Sequence, residues 1–197
     1  MALVAAGCGL RQGEVFGLAP EAIDLEGHRL AVVQQIKLVE GRLVLAPPKR
    51  GKTREVPLPD IVATALRTHI VRYSPLTVEL PWREPSGTLR TTTLLFWGRE
   101  RMAINRNYFN HHIWKQALRA AGVEATRENG MHALRHYFAS VLLDASESIR
   151  TVSDYLGHAD PGFTLRVYTH LIPRSEGRAR AAIDSALDGL PPQPSSE

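Results

Sequence analysis

Residues 131–143 read MHALRHYFASVLL. Met131, Leu134, Phe138 and Val141 recur at helical spacing, which predicts an amphipathic helix with these four on its apolar face. His132 and Arg135 stand three residues apart, so they share a face that adjoins the apolar stripe but differs from it. Such a pair suits a phosphate diester: the arginine offers two parallel hydrogen bonds and the histidine a third donor. His136 follows His132 by four residues, the spacing of a zinc-binding helix. That motif needs Glu at its second position, where this sequence has Ala133, and only His158 and His170 stand as further, distant ligands. Taken alone, the stretch equally fits a surface helix with incidental His and Arg.

Upstream, the apolar run Met1–Leu10 reads as a buried helix rather than a secretion signal, because it lacks a basic leader. A short helix over Arg11–Leu18 follows. LAVVQQI (30–36), RLVLA (42–46) and REVPL (54–58) read as strands separated by turn signals, most simply an antiparallel meander. Asp60 is placed to cap a helix over Ile61–Tyr73. Ser74–Thr93 holds three prolines and a glycine and reads as a long loop. Leu94–Phe96 is expected to be a short buried segment, and Asn105–Ala121 a helix with Phe109, Ile113 and Ala117 about one turn apart. Downstream, helices are expected over Ile149–Leu156, after Pro161, and from about Arg174 to Leu187. The fold class is α+β, mostly α-helical with a small antiparallel three-stranded sheet. One domain is expected over residues 1–188, with a disordered tail over 189–197.

Composition narrows function only loosely. Twenty-four Lys and Arg against 20 acidic residues give a net charge of +4, compatible with a nucleic-acid partner without requiring one. Basic residues cluster at Lys49–Arg54 and at Arg99, Arg101 and Arg106. The single cysteine, Cys8, leaves no internal disulfide and no thiolate-rich metal site, which fits a reducing, cytoplasmic setting. No apolar run approaches a membrane span.

Four segments in order carry more weight: GCGLRQGEVFGL, MHALRHYFAS, YLGHADPGFT and YTH. Together they closely resemble the tyrosine recombinase family of phage-integrase type, over about Gly7 to Leu171. That family has a Gly-Leu-Arg-x-x-Glu box, a His-x-x-Arg box, a Leu-Gly-His box and then a nucleophilic tyrosine. The resemblance implies that family's catalytic-domain fold and site-specific cleavage and rejoining of DNA through a 3′-phosphotyrosyl intermediate, with neither metal, ATP nor other cofactor. By position, Tyr168 matches the nucleophile, with Tyr155 and Tyr137 as alternatives better explained by packing. Arg11, His132, Arg135 and His158 match the remaining boxes, and Glu14 the acidic residue supporting Arg11. Lys49 matches the family lysine, with Lys52 as its competitor. Arg50, Lys52 and Arg54 are then expected at the DNA backbone.

A phosphodiester gathers charge on its non-bridging oxygens in the transition state, and Arg11, Arg135 and the imidazoles suit its stabilisation. Tyrosine is mostly protonated at neutral pH, so attack needs a proton acceptor, for which His132 is a candidate. Lys49 is the general acid that the resemblance implies for the departing 5′-oxygen. Double-stranded DNA is the expected partner, with tetrameric self-association in a full-length protein and no membrane. The sequence begins immediately before the Arg11 box, so the family's N-terminal DNA-binding domain is expected to be absent and the first helix truncated. The last helix is expected to pack on its own domain or on a neighbouring subunit. Competing readings are a type IB topoisomerase, disfavoured by the short interval from the Leu-Gly-His box to Tyr168, a non-catalytic DNA-binding module, and a zinc hydrolase.

Overall fold

A computed structural model of the chain describes residues 1–169 and 176–188. The apolar N-terminus forms helix α1 (Ala2–Cys8), burying Val4, Ala5 and Cys8. It stops at Gly9, whose φ of 64° is a left-handed conformation that glycine adopts at little cost. A side chain there would also collide with Phe138, since a Cβ would lie 2.5 Å from its ring. The chain turns sharply into α2 (Gln12–Phe16).

Strands β1 (Ile23–Asp24), β2 (Arg29–Val32), β3 (Gln35–Val39), β4 (Arg42–Ala46) and β5 (Arg54–Pro57) follow. All their pairings are antiparallel, but they do not run as a simple meander. The expected single strand over residues 30–36 breaks at Val33 and Gln34. There the Gln34 amide donates to the Gly17 carbonyl (2.8 Å) and to Thr92 Oγ1 (2.9 Å). The break lets β2 pair with β1 and β5 in a three-stranded sheet, while β3 and β4 form a separate hairpin. Helix α3 (Asp60–Arg72) starts with Pro59 in the cap position. Asp60 is therefore a first-turn residue beside the positive helix end rather than the cap itself.

The expected loop over 74–93 is instead a hairpin of β6 (Leu76–Pro81) and β7 (Leu89–Leu94), in register from Leu76↔Leu94 to Pro81↔Leu89. Its prolines punctuate rather than interrupt: Pro75 precedes β6, Pro81 closes it and Pro85 lies in the turn. The β-branched run LRTTTL supplies the second strand. Trp82 bridges to Leu45, so this hairpin continues the surface of β3 and β4. Leu94, Leu95 and Phe96 are buried as expected.

The helical stretch after Asn105 contains α4 (Arg106–Tyr108), a π-helical turn (Phe109–Trp114) and α5 (Lys115–Ala120). The wider turn shifts the apolar face by one residue. Phe109 is buried, but Ile113 turns outward and Trp114 packs inward in its place. Helices α6 (Met131–Asp144), α7 (Ile149–Leu156), α8 (Pro161–Tyr168) and α9 (Glu176–Leu187) complete the described chain. The inward face of α6 is Met131, Arg135, Phe138, Ala139 and Leu143, so Arg135 lies within the apolar stripe. Val141, expected in that stripe, is exposed, as is Tyr137, expected to pack. Ile183 of α9 is exposed as well. The segment 189–197 and His170 lie outside the described residues.

Two apolar clusters result. The larger joins α1, α2 and α3 to the strands; the smaller gathers Phe138, Ala139, Leu143, Val152, Leu156 and Tyr168 from α6, α7 and α8. The basic cleft described next opens where these two layers meet.

Candidate active site

Arg11 caps α2 in an extended conformation, and Glu14 sits one turn on. The Glu14 carboxylate accepts from the Arg11 backbone N–H (2.8 Å) and from its Nη1 (3.0 Å). Its other flank accepts two parallel bonds from Arg54, Nη1 to Oε1 at 3.0 Å and Nη2 to Oε2 at 2.7 Å. Burial pushes the Glu14 carboxyl upward, but Arg54 and Arg11 outweigh it and hold the group below its ordinary range.

Arg54 was expected at the DNA backbone, and its geometry argues otherwise. Its side chain is only 4% exposed, and its Nε donates to the Tyr155 carbonyl (2.6 Å). The buried guanidinium ties Glu14, and with it the Arg11 corner, to α7. One sequence signal pointed this way: alternation puts Arg54 on the same strand face as the buried Val56.

Arg11 also donates to the Gly157 carbonyl (3.4 Å) and lines a cleft with Lys49, Arg50, His158, Phe163 and Arg166. Gly157 ends α7 with φ 60° and packs against Arg54, 3.1 Å from where a Cβ would stand. It turns the chain so that His158 enters the cleft. Lys49 and Arg50 come from the tight turn between β4 and β5, where Arg50 has φ 65°. Lys52 lies outside the lining and pairs with Asp154 at 3.4 Å on the surface. Arg166, from α8, was not singled out by the sequence; it pairs with Asp160 at 3.3 Å.

Arg135 lies beneath the cleft and is 1% exposed. It donates to the Gly9 carbonyl (2.6 Å) and to the Leu156 carbonyl, and approaches His158 Nε2 at 3.2 Å. Burial, reinforced by the nearby Arg11, lowers its pKa to about 9, which leaves it charged at neutral pH. Because a guanidinium only donates, His158 Nε2 must accept, and Nδ1–H then donates to Thr164 Oγ1 (2.8 Å). Burial and then Arg135 lower the pKa of His158 to about 4, consistent with this neutral tautomer.

Tyr168 is 3% exposed and packs in the smaller cluster. Its hydroxyl meets His136 Nδ1 at 2.8 Å. His132 sits edge-on to His136, ring centroids 4.7 Å apart, and feels the charges of both Arg11 and Lys49. Among the described residues, therefore, Arg11, Lys49 and His158 line one cleft with Arg135 beneath them. Tyr168 faces His136 beside it. In the sequence, His136 stands out only by its zinc-like spacing from His132. Its pairing with Tyr168 joins residues 32 apart, which spacing within one helix does not reveal. No three His, Cys, Asp or Glu gather as a metal site among the described residues, and no described helix is long and apolar enough to cross a membrane.

The sequence pattern of the family described as "Phage integrase family" matches residues 1–174. A tyrosine recombinase XerC-like protein of Caldanaerobacter subterraneus subsp. tengcongensis is 28% identical over 195 residues, covering 90% of this chain and 46% of that protein. A tyrosine recombinase XerC of Stutzerimonas stutzeri is 31% identical over 163 residues, covering 83% of this chain and 44% of that protein. The chain thus spans about half the length of the curated relatives it matches. In structure, the Tn1549 transposon integrase, solved with a circular intermediate DNA, matches with TM-score 0.70 and 20% identity, covering 93% of this chain and 57% of that one. The catalytic domain of bacteriophage HP1 integrase matches with TM-score 0.58 and 18% identity, covering 96% and 83%. The fold is that of these catalytic domains.

Proposed function

The chain belongs to the phage integrase family, and on that premise we propose that it cuts and rejoins DNA strands through a covalent bond to Tyr168. Residues 1–188 are then a tyrosine recombinase catalytic domain, acting on double-stranded DNA in integration, excision or resolution. The observation that carries the reading is the convergence of Arg11, Lys49 and His158 on one cleft, with the Arg135 charge beneath it. A phosphodiester entering there meets cations from two layers of the fold, and its growing transition-state charge is stabilised without further ions. Lys49, exposed on its turn, supplies a proton to the departing 5′-oxygen. Arg50 and Lys52 flank the cleft toward the DNA backbone. The relatives named for recombination and the neighbour solved with DNA support the same reading. The protein then works in the cytoplasm of its host, assembling as a tetramer on DNA in its full-length form.

A non-catalytic DNA-binding module is the second reading, and one observation favours it: the Tyr168 hydroxyl is turned to His136 and does not line the cleft. Incubation in EDTA with a pool of nicked duplexes, from which the released strand diffuses away, separates the two. The enzyme reading expects a covalent protein–DNA adduct that Tyr168→Phe lacks. Salt-sensitive DNA binding with no adduct under any condition would leave the binding module.

A further inference from the structure

Tyr168 and His136 raise a question that the anion cleft does not answer: what takes the phenolic proton. The Tyr168 hydroxyl is buried, and the partner it has is His136 Nδ1 at 2.8 Å. Resting on the reading of Tyr168 as the nucleophile, we infer that His136, rather than His132, is the proton acceptor that activates it.

The Tyr168 O–H bond breaks and its proton moves to His136 Nδ1, while the phenolic oxygen forms a bond to phosphorus. The bond from phosphorus to the 5′-oxygen breaks, and that oxygen takes a proton from Lys49. On rejoining, the 5′-hydroxyl gives its proton to neutral Lys49 as its oxygen bonds phosphorus, the bond from phosphorus to Tyr168 breaks, and the His136 imidazolium returns its proton to the departing phenolate.

Three observations favour His136 over His132. First, the contact itself is direct and has hydrogen-bond geometry. Second, a proton arriving on His132 would sit among Arg11, Lys49 and Arg135, whereas the cation acting on His136 is Arg135 alone. Among the described residues, the groups facing His136 are therefore His132 and Arg135 from α6 and Tyr168 from α8. Third, partial desolvation, and then Arg135, keeps the His136 imidazole below its ordinary range, so it is neutral and able to accept at neutral pH. Burial raises the Tyr168 phenol more than Arg135 lowers it. The proton therefore rests on tyrosine and moves only as the bond to phosphorus forms. His132, nearer the cleft, is left free to donate to a phosphate oxygen.

The test is adduct formation by the whole chain on the nicked duplex pool, with His136→Ala and His136→Asn. Asparagine places an amide oxygen near the Nδ1 position, so it keeps the hydrogen bond but cannot take the proton. Loss of a general base lowers rates by roughly 10²–10⁴-fold, and both variants are expected to fall by about that much. A near-normal rate in His136→Asn would reduce the residue to a positioning role and overturn the inference. A second substrate carries sulfur in place of the bridging 5′-oxygen at the linkage beside the nick, so its leaving group needs no proton. It is expected to rescue Lys49→Ala but neither His136 variant; rescue of His136→Ala would place its proton on the wrong oxygen and overturn the inference. Native rates are expected to fall on acidification below the ordinary histidine range, and the His136 variants to lose that dependence on this residue. A full rate in His136→Ala alongside a deficit in His132→Ala would return the role to His132. If the native chain forms no adduct at all, the reading of Tyr168 as nucleophile fails first and this assignment with it.

Discussion

On one side of the cleft, the Glu14 carboxylate accepts four hydrogen bonds from two arginines and has no exposed side-chain surface. On the other, the Tyr168 hydroxyl meets one imidazole, in a cluster of six buried residues. The first corner is over-determined: α2, β5 and α7 are tied together by the same ion network, and Arg11 has little freedom to turn. The second is held by packing and by one neutral hydrogen bond. The contrast teaches that the Arg11–Glu14–Arg54 corner is built against the larger core, whereas Tyr168 belongs to the smaller apolar layer.

If so, the two corners should fail differently. The largest stability effect is expected from Glu14→Gln, which leaves the buried Arg54 without a countercharge. Breaking a buried pair in this way costs about 3–5 kcal/mol, read as a fall in thermal midpoint. A change under about 1 kcal/mol, the surface-pair range, would mean that the corner is not over-determined. On the proposed function, Arg11→Ala removes a charge-assisted donor to the phosphate, with an expected loss of about 1.5–3 kcal/mol in transition-state stabilisation. That is on the order of 10- to 150-fold in adduct rate, while the melting temperature moves less than in Glu14→Gln.

Acid should weaken the fold in two stages. Glu14 is held below its ordinary 4.5 in the fold, so its stabilisation is complete above that value and is lost as pH falls through the depressed one. His158 is lowered from 6.5 to about 4, so the unfolded chain takes up its proton first, and stability falls between those values on acidification. In melts across this range, His158→Gln is expected to reduce the upper part of the loss, with His132 and His136 supplying the rest, and to leave the lower part. The smallest effect belongs to Lys52→Ala: the Lys52–Asp154 pair is exposed on both sides, and stability should change by less than about 1 kcal/mol.

Much of this arrangement was legible in the sequence, and the misses have physical reasons. Helices α6 to α8 and the Arg11–Glu14 pairing follow from local spacing, which sequence carries directly. The β6–β7 hairpin was hidden because its prolines read as breakers, although they fall at the strand ends where they remove no ladder bond. The outward turn of Ile113 follows from the π-helical turn, which a 3.6-residue period does not anticipate. The partners of Arg54 and His136 share one reason for staying hidden: Glu14 stands 40 residues from Arg54 and Tyr168 stands 32 from His136, and spacing within one element does not reveal either pairing. For Arg135, its place three residues after His132 follows from the sequence, but its burial depends on the Gly9 and Leu156 carbonyls, which only the fold brings to it.

The most direct test of the account maps the adduct. The native chain is trapped on the nicked duplex pool, digested, and the DNA-linked peptide identified by mass spectrometry. The account predicts a single modified residue, Tyr168, and no adduct from Tyr168→Phe. A covalent link at Tyr137 or Tyr155, or an adduct that persists in Tyr168→Phe, would contradict it.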